Sequence, residues 1–221
     1  MEIRNHSIES PDGNAMRYIL EVIIDIDGVD LYLFNNHWKS KSGGAQETEH
    51  LRLAASRLLQ YRIADVLAEQ SSAEIVVAGD LNESADEYDR IGGAYPTAIC
   101  QPDVCPEGRD HDGLIVSFDK NQCEVGGSIL YSPWHEAHLP GSYAFKGSWE
   151  AIDHIMVSPG LLDEEGLSLN SFDVVSDPLL LNEDGFPETR KYSDHLPIMV
   201  ELTRSQTRSI PRVVEVKDQG G

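Results

Sequence analysis

The chain has few positive charges, with 17 Lys and Arg against 38 Asp and Glu, a formal net charge of −21 over 221 residues. That leaves little from which to build the broad basic face of a protein that grips nucleic acid by counterion release. It does not exclude a phosphate-bearing substrate, because bound divalent cations can supply the missing positive charge. Long apolar runs are absent, so no segment reaches the roughly 18–20 residues needed to span a bilayer. The N-terminal Met1-Glu2-Ile3-Arg4-Asn5-His6 has no apolar core of the kind a signal peptide carries, which leaves location open. Cysteine is scarce: Cys100, Cys105 and Cys123, an odd number that excludes a full disulfide set. One bridge with a free thiol and three reduced thiols are both compatible. The spacing is not that of a zinc module, even with His111 counted.

What is present reads as one sizeable globular core, with 40% hydrophobic and 25% charged residues. An apolar run over 19–26, the turn pair Asp27-Gly28 and a second run over 29–35 predict a β-hairpin. The near-continuous hydrophobicity of the first run predicts a strand buried on both faces. Leu51, Ala54, Ala55, Leu58, Leu59, Ile63, Val66 and Leu67 recur at helical spacing, predicting a long helix over 46–70 with Arg52, Arg57, Gln60 and Arg62 between the apolar positions. A buried strand over 74–78 follows. Helix then strand indicates layered α/β architecture. Residues 83–140 and 161–191 read as loop-rich. Strands are expected at 143–145, 151–157 and 198–202, and disorder from 204 to 221.

Four polar clusters sit at the ends of apolar runs: Asn36-His37, Gly79-Asp80-Leu81-Asn82, Ile152-Asp153-His154 and Ser193-Asp194-His195. Each alone has an ordinary explanation, such as a solvated histidine or an Asx turn. Together they place three His, three Asp and two Asn where strand ends of an α/β protein converge on a shared face. Carboxylate and amide oxygens are hard ligands for Mg²⁺, Mn²⁺ or Ca²⁺. Imidazole beside carboxylate moves protons near neutral pH. This set suits metal-assisted phosphoester hydrolysis. A Ser-His-Asp hydrolase is disfavoured, because no Gly-x-Ser-x-Gly elbow occurs.

Asn36-His37-Trp38-Lys39-Ser40-Lys41-Ser42-Gly43-Gly44, Gly79-Asp80-Leu81-Asn82, Gly147-Ser148-Trp149-Glu150-Ala151-Ile152-Asp153-His154 and Ser193-Asp194-His195 occur in this order. The series resembles the endonuclease/exonuclease/phosphatase superfamily, over residues 1–203. The resemblance implies a four-layer α/β/β/α sandwich of the deoxyribonuclease I-like type and a divalent-metal-dependent phosphodiesterase, foremost a nuclease. It implies that Asp80 orients or deprotonates the attacking water, and that Asn82 holds a phosphate oxygen or metal-bound water. His37 would assist the leaving oxygen, and His195 would contact the phosphate or act as base, with Asp153 on its other nitrogen. Asp194, Asp80 and Asn82 are the expected metal ligands, with Mg²⁺ or Mn²⁺ first and Ca²⁺ as an alternative. Asn36, Lys39 and Trp149 are expected near substrate. The family's early Glu, the principal metal ligand, has no counterpart in context among Glu2, Glu9 and Glu21. The domain therefore reads as N-terminally incomplete, with a complementing N-terminal half as one possible partner. Nucleic acid, a lipid phosphodiester and a sugar phosphate are all substrates of this fold, and a binding domain without turnover is the competing reading.

Overall fold

The computed structural model describes residues 1–13, 15–105 and 113–205. Fourteen elements run in order: β1 (Glu2–His6), β2 (Ile19–Ile26), β3 (Val29–His37), α1 (Ala45–Glu69), β4 (Glu74–Asp80), α2 (Glu87–Arg90), β5 (Ile99–Cys100), β6 (Leu114–Ser117), β7 (Leu130–Tyr131), β8 (Tyr143–Phe145), β9 (Ser148–Glu150), β10 (Asp153–Val157), β11 (Leu167–Val174) and β12 (Ile198–Arg204). The main sheet has eight strands in the order β1-β2-β3-β4-β10-β7-β6-β5, while β11 and β12 pair separately, as do β8 and β9.

The expected hairpin forms, with Asp27 and Gly28 both at positive φ in its turn. Such angles suit the twist of a two-residue hairpin connection. Its first strand is not buried on both faces as its hydrophobicity predicts. Only Ile19 and Glu21 of β2 are fully buried, and Asp25 is exposed. Glu21 is buried because Arg62 of α1 and His6 of β1 meet its carboxylate at 2.8 and 2.6 Å.

Two apolar layers flank the sheet. On one face, Phe34, Ile75, Val77 and Met156 pack against Ala55, Leu59, Ile63 and Val66 of α1. On the other, Leu31, Val76 and Val157 pack with Leu161, Leu167 and Leu202, so the β11–β12 ribbon forms a further layer. Helix, sheet and ribbon are three layers of the expected four among the described residues. The chain has an α/β deoxyribonuclease I-like fold.

Strand β11 falls in a stretch read from sequence as loop, and β1 was not foreseen. A register shift between Leu169 and Ser171 breaks the period-two alternation that would have marked β11. The last strand runs to Arg204, two residues beyond its expected end and into the segment expected to be disordered. Residues 206–221, like His111, lie outside the described residues. Cys100 and Cys105 form a disulfide, and burial, with the Asp119 charge, pushes the remaining Cys123 thiol up to about 11. Among the described residues no helix is long and apolar enough to cross a membrane.

Candidate active site

Parallel pairing of β3 with β4 sets His37 opposite Asp80, and antiparallel pairing of β4 with β10 sets Asp80 opposite Asp153. Three of the four sequence clusters therefore place one side chain each in a single row across adjacent strands. The next row is Asn36, Gly79 and His154. Successive residues of a strand face opposite ways, so this second row turns from the first. Gly79 has φ +130° and its Cβ would lie 1.9 Å from the Asn36 carbonyl oxygen. Only glycine lets the two strand ends approach so closely.

The loops beyond the strands are tied together by backbone bonds. Trp38 N–H donates to the Asp80 carbonyl and Leu81 N–H to that of Ile152, each at 2.9 Å. Asp80 Oδ1 accepts from the Asn82 N–H at 2.9 Å, and Asn82 holds φ +54°. The fourth cluster reaches the row through Asp153: His195 Nδ1 lies 2.6 Å from Asp153 Oδ2. The same oxygen accepts from Ser142 Oγ at 2.5 Å. Leu196 N–H in turn donates to the Ser142 carbonyl at 2.8 Å, so the 142–143 segment braces both members of the pair.

His37, Ser40, Lys41, Asp80, Asn82, Asp153, Asp194 and His195 share one cleft of about 920 Å³, with Tyr143, Phe145 and Glu150 on its wall. His37 Nε2 stands 3.5 Å from Asp80 Oδ2. Burial and the neighbouring Asp153 charge raise the Asp80 pKa, against the opposing Asn82 hydrogen bond and the two imidazoles. Burial alone would lower that of His195. The hydrogen bond and charge of Asp153, helped by Asp80 and Asp194, overcome it and leave the imidazole more basic than usual. A carboxylate that holds a proton more readily and an imidazole fixed as its Nδ1–H tautomer are the equipment of proton transfer.

Ligand atoms of Asp80, Asp153 and His195 lie within 4.8 Å of one another. The two carboxylates offer the hard oxygen donors that divalent cations such as Mg²⁺ and Mn²⁺ take, with the imidazole a softer donor beside them. This trio differs from the expected ligands Asp80, Asn82 and Asp194, although all of these line the cleft. Three expected substrate residues do not line it. Asn36 is buried, donating from Nδ2 to the Phe34 carbonyl at 3.0 Å and accepting from Trp38 Nε1 at 3.1 Å. Lys39 Nζ folds onto the carbonyls of Ser40 and Ser42. Trp149 packs on Phe186, 5.2 Å between ring centroids. Ser142, Tyr143 and Phe145 were missed by sequence reading, whose motif at this hairpin begins only at Gly147. The one available signal was Gly141-Ser142 directly before an aromatic alternation.

Residues 3–91, less than half the chain, match the family model described as the Endonuclease/Exonuclease/phosphatase family. Among solved structures, truncated Caenorhabditis elegans TDP2 matches over 90% of this chain and 63% of its own length, at TM-score 0.53 and 14% identity. D. rerio TDP2 complexed with a single strand DNA product matches over 92% of this chain and 67% of its own, at 0.54 and 17%. A functionally unknown conserved protein from Enterococcus faecalis V583 gives 0.53 and 16%, over 92% and 66%. Over residues 3–91 the chain is thus similar to the endonuclease/exonuclease/phosphatase family, and these solved structures share its fold. It spans about two-thirds of the length of these structures. A comparison with curated proteins finds no match.

Proposed function

We propose that this chain is a member of the endonuclease/exonuclease/phosphatase superfamily and hydrolyses phosphodiester bonds of nucleic acid with the help of a divalent cation. The observation that carries the proposal is the register row His37–Asp80–Asp153, completed by His195 through its 2.6 Å bond to Asp153. The D. rerio TDP2 structure of similar fold holds a single strand DNA product, and the proposal extends that substrate class to this chain.

In this reading the scissile phosphate lies between Asp80 and His195. Asp80 accepts a proton from the attacking water, as a carboxylate with a raised pKa does more readily than an ordinary one. Asp153 holds Nδ1–H of His195, which presents Nε2 to a phosphoryl oxygen. As the new phosphorus–oxygen bond forms and the old one breaks, His37 donates a proton to the departing oxygen. The carboxylates of Asp80 and Asp153 would hold the cation, which would supply neutralisation of the phosphate charge and Lewis-acid polarisation. The test is hydrolysis of nucleic acid and of bis(p-nitrophenyl) phosphate with Mg²⁺ or Mn²⁺, compared with chelator and with His195→Ala. Turnover with metal, lost in both comparisons, supports the proposal; its absence from the folded wild-type chain overturns it.

A further inference from the structure

The wall of the cleft carries a feature that the proposed chemistry does not use. Hairpin β8–β9 turns at Lys146-Gly147, both at positive φ, and is joined to the site by a β-bridge between Tyr143 and His195. Tyr143 and Phe145 are two residues apart, so both face the cleft and both line it. Their rings are near-parallel, 17° apart with centroids 6.4 Å from each other. Tyr143 in turn stacks on the His195 imidazole at 4.6 Å and 30°. The three rings make a ladder from the reacting centre out to the hairpin tip. Its outermost rung, Phe145, is 48% exposed. Lys146 Nζ stands 5.0 Å above that ring.

An exposed phenylalanine on a tight turn contributes nothing to the core, and its neighbour Trp149 is instead turned inward onto Phe186. The ring spacing is close to twice the 3.4 Å rise of a nucleic-acid strand. We propose that the β8–β9 hairpin is a base-stacking platform that seats unpaired nucleotides flanking the scissile phosphate, giving the enzyme a preference for single-stranded nucleic acid. This rests on the hydrolase reading above and names its substrate form. Aromatic stacking is worth roughly five- to a hundredfold in affinity per base. An exposed lysine over a phenyl ring is worth about two- to fivefold. An incoming base therefore displaces the Lys146 ammonium, which turns to the adjoining phosphate. Bases paired within a duplex keep their faces covered and cannot use the platform.

The arrangement also accounts for nucleic-acid binding by a chain of net charge −21. Ring faces supply the attraction where cations do not. Lys41, which lines the cleft, is already paired with Glu87.

The experiment is fluorescence anisotropy of a labelled oligothymidylate about a dozen nucleotides long, with chelator present so that turnover cannot interfere. Wild type, Phe145→Ala and Phe145→Trp are compared, along with a duplex of equal length. Phe145→Ala should weaken the single strand about tenfold, Phe145→Trp should stay within about twofold, and duplex should bind about tenfold more weakly than single strand. The logarithm of affinity should fall against the logarithm of salt with a slope of about one, because few phosphates are neutralised. Equal affinity for duplex and single strand, or an unchanged Phe145→Ala, overturns the platform. So does displacement of the oligonucleotide by a hexose phosphate but not by thymidylate, which would make the rings a sugar site. Hydrolysis of bis(p-nitrophenyl) phosphate, measured separately, reports on the hydrolase reading alone.

Discussion

Asp153 Oδ2 receives two donors at once, His195 Nδ1 at 2.6 Å and Ser142 Oγ at 2.5 Å. The carboxylate is therefore fixed in orientation before it fixes the imidazole. Asp153→Asn removes the charge and keeps the shape. The His195 pKa should fall, because the Asp153 hydrogen bond and charge are what lift it against burial. Titration of the imidazole by NMR in the metal-free protein checks the direction. Turnover should drop roughly 10- to 100-fold, the usual cost of losing a group that orients a histidine.

Ser142→Ala isolates the second donor. It leaves the charge pair intact and frees the carboxylate to rotate. We expect turnover to fall by less than in Asp153→Asn, with the His195 titration moved little. A loss equal to that of Asp153→Asn would mean that Ser142 does more than orient.

Beneath the cleft, Arg52 is fully buried and binds Glu49 at 2.5 Å and Glu83 at 3.2 Å. It also donates to the carbonyls of Lys39 and Ala45, tying the loop after His37 to the loop after Asp80. Burial, with the charge of Glu49, raises the Glu83 pKa well above the ordinary range. Arg52→Ala should cost about 3–5 kcal/mol, because it leaves a buried carboxylate without its partner. Urea denaturation measures this.

His154 is completely buried and burial lowers its pKa to about 4, with Nε2 bonded to the Glu83 carbonyl at 2.8 Å. A histidine depressed in the fold is neutral there, while the unfolded chain binds a proton near pH 6.5. Stability is then full above about pH 6.5 and declines as pH falls towards 4, by about 3 kcal/mol in total from this group. Stability curves of wild type and His154→Gln should converge in acid. Parallel curves would contradict the assignment.

Several elements were legible because one dominant period marked them. The helix expected at 46–70 spans Ala45–Glu69, and the 19–35 hairpin forms as Ile19–Ile26 and Val29–His37. The convergence of the four clusters followed from strand-end position, and sheet register supplied the rest. Arg52 was less legible: on a helix its charge reads as solvent-facing, and its burial rests on Glu49, the distant Glu83 and the carbonyls of Lys39 and Ala45 together. Asn36 was misplaced because adjacency to His37 in a strand means the opposite face, as it does for His154 beside Asp153. Trp149 pairs with Ala144, and Tyr143 with Glu150, across a hairpin too short for periodicity to tell which ring faces the cleft.

The central claim is that the row His37–Asp80–Asp153 with His195 is a metal-dependent phosphodiesterase centre. The most direct measurement is cleavage of single-stranded nucleic acid and bis(p-nitrophenyl) phosphate by the purified chain, with Mg²⁺ or Mn²⁺, with chelator, and in His195→Ala. We predict turnover that requires the cation and is abolished by the substitution. A folded wild-type chain that cleaves neither substrate, or cleavage that survives both chelator and His195→Ala, would contradict it.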